Sequence, residues 1–157
     1  MNEKKLRVAV VGLGKMGLLH EVIADMALAL DLDWLFRAYR DYLLRQDIIP
    51  GHNTCNFPYL VDQFRERGLE VEGAVVATPF NRAGFQMNPS REECEKTLRD
   101  LKKAVVVAIS MLAAGYLRLP EAVDYITALP NLRGVAVGVS KEKHVRETFR
   151  ILSGKMS

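Results

Sequence analysis

Short unbroken runs of Val, Ala and Ile recur along the chain, and between them apolar residues return at every third or fourth position. Runs without polar alternation predict strands covered on both faces, whereas the wider spacing predicts amphipathic helices. The clearest strands are Leu6–Val11, Gly73–Thr78, Ala104–Ile109 and Gly134–Gly138. A weaker one lies within Asp47–Thr54, where Pro50 removes a ladder donor. Helices follow the strands. Asn56 to Gly68 places Phe57, Leu60, Val61 and Phe64 on one face and stops on a glycine. Another starts near Ser90, with Glu93 three residues on to complete a capping box. A third runs from about Pro120 to Leu129, and a last one is capped by Ser140 and ends near Gly154.

This alternation predicts one α/β domain over residues 1–157, a Rossmann-like three-layer sandwich of about five mainly parallel strands with helices on both faces. The alternative is a partial TIM-barrel-like βα array. The stretch from the first helix to Gln46 reads two ways. A dinucleotide fold needs a second strand here, ending in an acidic residue about 20 residues past the glycines to bond the ribose hydroxyls, and Asp41 is the candidate. Against it, Leu32, Leu35, Phe36, Tyr39 and Leu43 share one face at helical spacing, with a break near Asp31–Asp33. The periodicity favours helix, and a helix leaves the ribose-reading strand missing.

RVAVVGLGKMG matches G-x-G-x-x-G at Gly12, Gly14 and Gly17, directly after an apolar strand and before a plausible helix. The first glycine permits the tight turn, the second lets backbone approach a pyrophosphate, and the third lets helix and strand pack closely. Amides of Leu13, Lys15 and Met16 would complete the cradle. A plain strand-to-helix turn that binds nothing fits the same residues. RVAVVGLGKMGLLH, together with EGAVVATPFN farther on, resembles the glucose-fructose oxidoreductase and inositol dehydrogenase-like family of NAD(P)-dependent enzymes. The resemblance implies a bound NAD or NADP, its pyrophosphate on Gly12, Gly14 and Gly17 and its ribose and nicotinamide near Thr78, Pro79 and Asn81. The family's Glu-Lys-Pro motif, with its catalytic lysine, would fall near Ala108–Met111 and is absent, so hydride transfer by this chain alone is not expected.

From about Ile48 to Leu152 the order of elements also resembles the closing βα units of a phosphate-binding TIM barrel. That resemblance implies a phosphorylated small molecule held by loops after the last strands, with Gly115, Gly138, Val139 and Ser140 at the phosphate and Lys141 or Lys143 adding charge. Eight such units need ~200 residues or more, so a closed barrel from one copy is not expected and self-association would be required.

Lys and Arg exceed Asp and Glu by 22 − 19 = 3, interspersed along the chain, which argues against nucleic acid as a partner. No apolar run is long enough to cross a bilayer and the start lacks a cleavage site, so the expectation is a cytoplasmic protein with no membrane partner. Cys55 and Cys94 stand singly, without metal-ligand or redox spacing, and read as buried fillers. His20, His52 and His144 are too scattered for a metal cluster. His52, in PGHNTCN, is the most interesting of them; a turn residue bonded to nearby backbone is the alternative. Arg82, Asn81, Gln86 and Asn88 crowd the loop FNRAGFQMNP, which suits either a small polar ligand or a loop satisfying its own backbone. Trp34, Tyr39 and Tyr42 read as packing of a long helix, and Glu121 and Asp124 as a solvated pair. No nucleophile can be matched to a base, and catalytic residues stay unassigned.

Overall fold

The computed structural model describes residues 7–9, 24–101, 103–139 and 142–155. Each apolar run carries a strand: β1 (Arg7–Ala9), β2 (Gly51–Asn53), β3 (Val75–Pro79), β4 (Val105–Ile109) and β5 (Leu132–Ala136). Residues 24–29 form a helical segment, α1. It is followed by α2 (Asp33–Arg45), α3 (Phe57–Glu66), α4 (Arg91–Asp100), α5 (Leu119–Ala128) and α6 (Glu142–Lys155). Pairing is parallel throughout, in the order β1-β5-β4-β3-β2. The body of the sheet is β2 to β5, and the three-residue β1 pairs along the outer edge of β5.

From β2 to β5 each crossover advances one strand in the same direction, and the right-handed rule then sets α3, α4 and α5 on one face. Their contacts agree. α3 packs on α4, and the Tyr125 hydroxyl of α5 donates to Glu95 Oε1 of α4 at 2.9 Å. Under these helices the register aligns Val76 with Val106 and Thr78 with Ala108, beside Leu132 and Val135, all of them buried. The alternate positions Val75, Ala77, Val107 and Ala136 are only half-buried, and Val105 is exposed. One-directional winding sets the crossover helices α3, α4 and α5 on one side, and the strand positions facing away from them are the less covered ones.

Asp33–Arg45 is helix, as the periodicity favoured, and among the described residues between β1 and β2 there is no ribose-reading strand. The break before it is real. Asp31 takes a left-handed backbone (φ 55°), which an aspartate tolerates better than most residues. Arg67, at the end of α3, clamps the turn by donating through Nη1 to Asp31 Oδ1 at 2.7 Å and Asp33 Oδ1 at 2.8 Å. α2 leans on the outer strand, where Tyr39 donates to the Gly51 carbonyl at 3.1 Å and so occupies an acceptor of the sheet edge.

α3 and α4 start on side-chain caps. Asn56 Oδ1 accepts from Tyr59 N, and Ser90 Oγ accepts from Glu93 N at 3.2 Å, the first half of the expected box. Ser90→Ala leaves that amide unpaired, and urea denaturation should register a loss of about 1 kcal/mol.

Candidate functional site

All strands of a parallel sheet end at one edge, and loops leaving that edge are released from the ladder to carry chemistry. Here the edge gathers the segments that follow Asn53, Pro79, Ile109 and Ala136, beside the end of β1 at Ala9. Ala9 lies opposite Ala136, so the carboxyl end of β1 sits beside that of β5, two residues before Gly138. Gly138 is exposed, and a methyl group added to it would meet nothing within 4 Å.

The loop after β4 is the most constrained part of this edge. Ser110, Ala113 and Ala114 have φ of 53°, 47° and 56°, and Gly115 follows at 91°. Non-glycine residues in the left-handed region cost on the order of 1 kcal/mol each and persist where their surroundings impose them, commonly at functional sites. Buried Met111 and Ala113 pin the loop from beneath. Ser110 Oγ donates to Gln86 Oε1 at 3.4 Å, tying this loop to the one after β3.

The loop after β3 is organised by Asn81, which is fully buried. Its Nδ2 donates to the Phe85 carbonyl and its Oδ1 accepts from the Phe85 amide, both at 2.8 Å. The side-chain amide of Asn81, expected near the ribose and nicotinamide, bonds within its own loop. Thr78, on the face of the crossover helices, and Pro79, on the other, are both buried. Arg82 reaches across to Glu121 in an exposed ion pair at 3.5 Å.

At the end of β2, Thr54 is fully buried, donates to Asp25 Oδ1 of α1 at 3.1 Å and accepts from Asn56 N at 2.9 Å. Next to it, Asn53 Oδ1 is buried without a hydrogen-bond partner among the described residues. An orphaned acceptor costs ~1–3 kcal/mol, so this oxygen would gain from a donor brought by a ligand.

Gly12, Leu13, Gly14, Lys15, Met16 and Gly17 lie outside the described residues, as do His20, Ser140 and Lys141. Asp41 is removed from any strand end. It sits in the middle of α2, 60% exposed, 3.6 Å from Arg40. His52 belongs to β2 itself, not to a loop, and sits against the rings of Phe36, Tyr39 and Phe64. Burial there lowers its pKa to about 4. Cys94 is buried as expected and burial pushes its thiol up to about 11, which removes it as a nucleophile; Cys55 is only half-buried. His144 is exposed. Ser110, Asn53 and the Thr54–Asp25 pair were missed by sequence reasoning. A serine closing an apolar run just before Met-Leu-Ala-Ala-Gly was an available signal for Ser110, whereas Asp25 and Thr54 are 29 residues apart and carry none.

A recess of about 50 Å³ opens at the opposite, amino edge, between Phe36, His52, Phe64, Arg37, Arg40 and Glu70. It is far below the ~300 Å³ at which small-molecule sites begin, and Arg40 closes one side by bonding Glu70 at 2.6 Å. Among the described residues no group of three His, Cys, Asp or Glu side chains could hold a metal ion, and no helix is long and apolar enough to cross a membrane. No family model, curated protein or solved structure matches the chain. What stands is the class that the architecture defines, an α/β domain on a parallel sheet.

Proposed function

We propose that the protein binds a phosphate-bearing small molecule, NAD or NADP or a phosphorylated metabolite, at the carboxyl ends of β1 and β5. One observation carries it: the Ala9–Ala136 register sets the carboxyl end of β1 beside that of β5, next to the open Gly138 segment. The glycine turn at Gly12, Gly14 and Gly17 and the expected phosphate loop at Gly138 and Val139 are separate inferences from the sequence, and the adjacency of the parallel strands β1 and β5, which precede them in the chain, supports assigning both to one ligand. Backbone amides beyond a strand end are the donors that a phosphate takes. The single-step order of β2 to β5 supports the βα-array reading of the fold, while the G-x-G-x-x-G sequence that follows β1 supports the Rossmann-like one. Phosphate recognition is common to both.

The test is a titration of the full chain with NADH and NADPH, followed by nicotinamide fluorescence, and with fructose 6-phosphate by calorimetry. Gly138→Asp is the discriminating variant. Its carboxylate projects into open space at ordinary backbone angles, so the melting temperature stays unchanged while affinity falls by about tenfold or more through like-charge repulsion. Absence of binding at millimolar ligand, or equal binding by the variant, overturns the proposal.

A further inference from the structure

α2 has more apolar surface than its packing uses. Phe36 is its only buried side chain, yet the helix also bears Trp34, Leu35 and Tyr42. The expectation that Trp34 and Tyr42 pack inside is corrected, because they are 65% and 59% exposed. Among the described residues, nine of the twelve exposed large apolar side chains fall between Met26 and Ile49, so the exposure is a continuous stretch of chain and not scatter. A concentration of this kind marks an interaction surface.

The charges on α2 identify the partner. Asp33, Arg37, Asp41 and Arg45 stand four residues apart, alternating in sign along one row. Beside them runs a second row at the same spacing, Trp34, Ala38 and Tyr42, large at the ends and small in the middle. Reversing the direction of the charged row turns acid-base-acid-base into base-acid-base-acid. A second α2 laid antiparallel therefore meets every acid with a base, whereas a parallel one sets like against like. Self-complementarity under a two-fold axis is what an isologous dimer requires. Interleaving rows four residues apart is the commonest way for two helices to pack, and Ala38 lets the backbones approach at the crossing. Existing contacts leave the row usable. Arg37 donates through one nitrogen to the Arg67 carbonyl and retains further N–H groups, Asp41 is 60% exposed beside Arg40, and Asp33, shared with Arg67, lies at the end of the row.

We infer that the α2 face docks a second copy of this chain, antiparallel, through the Trp34–Ala38–Tyr42 row and the alternating charges. The inference is independent of the ligand proposed above. Trp34 is the chain's single tryptophan, so the interface carries its own reporter. In sedimentation velocity from low micromolar to a few hundred micromolar, the full chain should pass from monomer to dimer mass, with a concentration-dependent blue shift of tryptophan emission over the same range. Trp34→Glu, at an exposed site, should stay monomeric with an unchanged melting temperature. Arg37→Asp should weaken the dimer by about tenfold or more through a repulsion repeated twice by symmetry. Combining it with Asp41→Arg restores opposite signs across the axis and should recover most of the affinity. A wild-type chain that remains monomeric throughout overturns the inference, as does a dimer indifferent to Trp34→Glu or one in which the double reversal is no better than the single.

Discussion

Truncating Phe80 to alanine lowers the unfolding free energy by about 4 kcal/mol, near the upper range for a buried phenylalanine. The ring is wholly buried and meets Phe57, equally buried, edge-on at a centroid distance of 6.0 Å. Its removal gives up the transfer energy of the ring and the aromatic contact, and leaves a cavity between β3 and α3 that the surrounding strands cannot close. Collapse is restricted because the Phe80 amide donates to the Ile109 carbonyl at 3.2 Å, which holds this backbone to β4. Phe85, five residues on and 41% exposed, provides the contrast, since its truncation should change stability by less than ~1 kcal/mol. Urea denaturation of both variants measures the difference. A Phe80→Ala loss below ~2 kcal/mol would mean that the loop relaxes into the space, and that the carboxyl edge is softer than its packing implies.

The features readable from the sequence were those set within a few residues. Val, Ala and Ile runs became strands because fully covered strands have no polar face to show, and Phe57, Leu60, Val61 and Phe64 became the inner face of α3 by spacing alone. The Ser90 cap was legible for the same reason. Strand order was not, since nothing in one strand says which neighbour it will pair with, and the placement of β1 beside β5 joins residues about 130 apart. Asn81 shows why site residues are harder still. Its type and its loop fitted a ligand contact and a self-bonded loop equally, and the two bonds to Phe85 supply the second. Trp34 failed in the other direction. Helical spacing reports that a face is apolar but not what covers it, so a face exposed on one chain reads like a buried one.

Acidification from pH 7.5 to 5 should cost the fold about 1–2 kcal/mol through His52 alone. The ring is enclosed by Phe36 at 5.8 Å, Tyr39 at 5.9 Å and Phe64 at 5.0 Å, and burial lowers its pKa from 6.5 to about 4. The charged groups at the neighbouring recess, Arg37, Arg40 and Glu70, do not reverse this, because Glu70 is bonded to Arg40. Between the two pKa values the unfolded chain takes up a proton that the folded chain refuses. Stability is therefore complete above about 6.5, falls as the pH drops through the window, and levels off below about 4. A full shift of that size at 1.36 kcal/mol per unit would give about 2 kcal/mol by pH 5, and partial solvent access to the ring reduces it. His52→Phe keeps an aromatic ring among its three neighbours and removes the titration. The stability difference between variant and wild type, measured in urea at several pH values, should move in favour of the variant as the pH falls from 7 to 5. Parallel curves across that range would show that His52 is protonated in the folded state at its ordinary pKa, and that the aromatic enclosure is open to water.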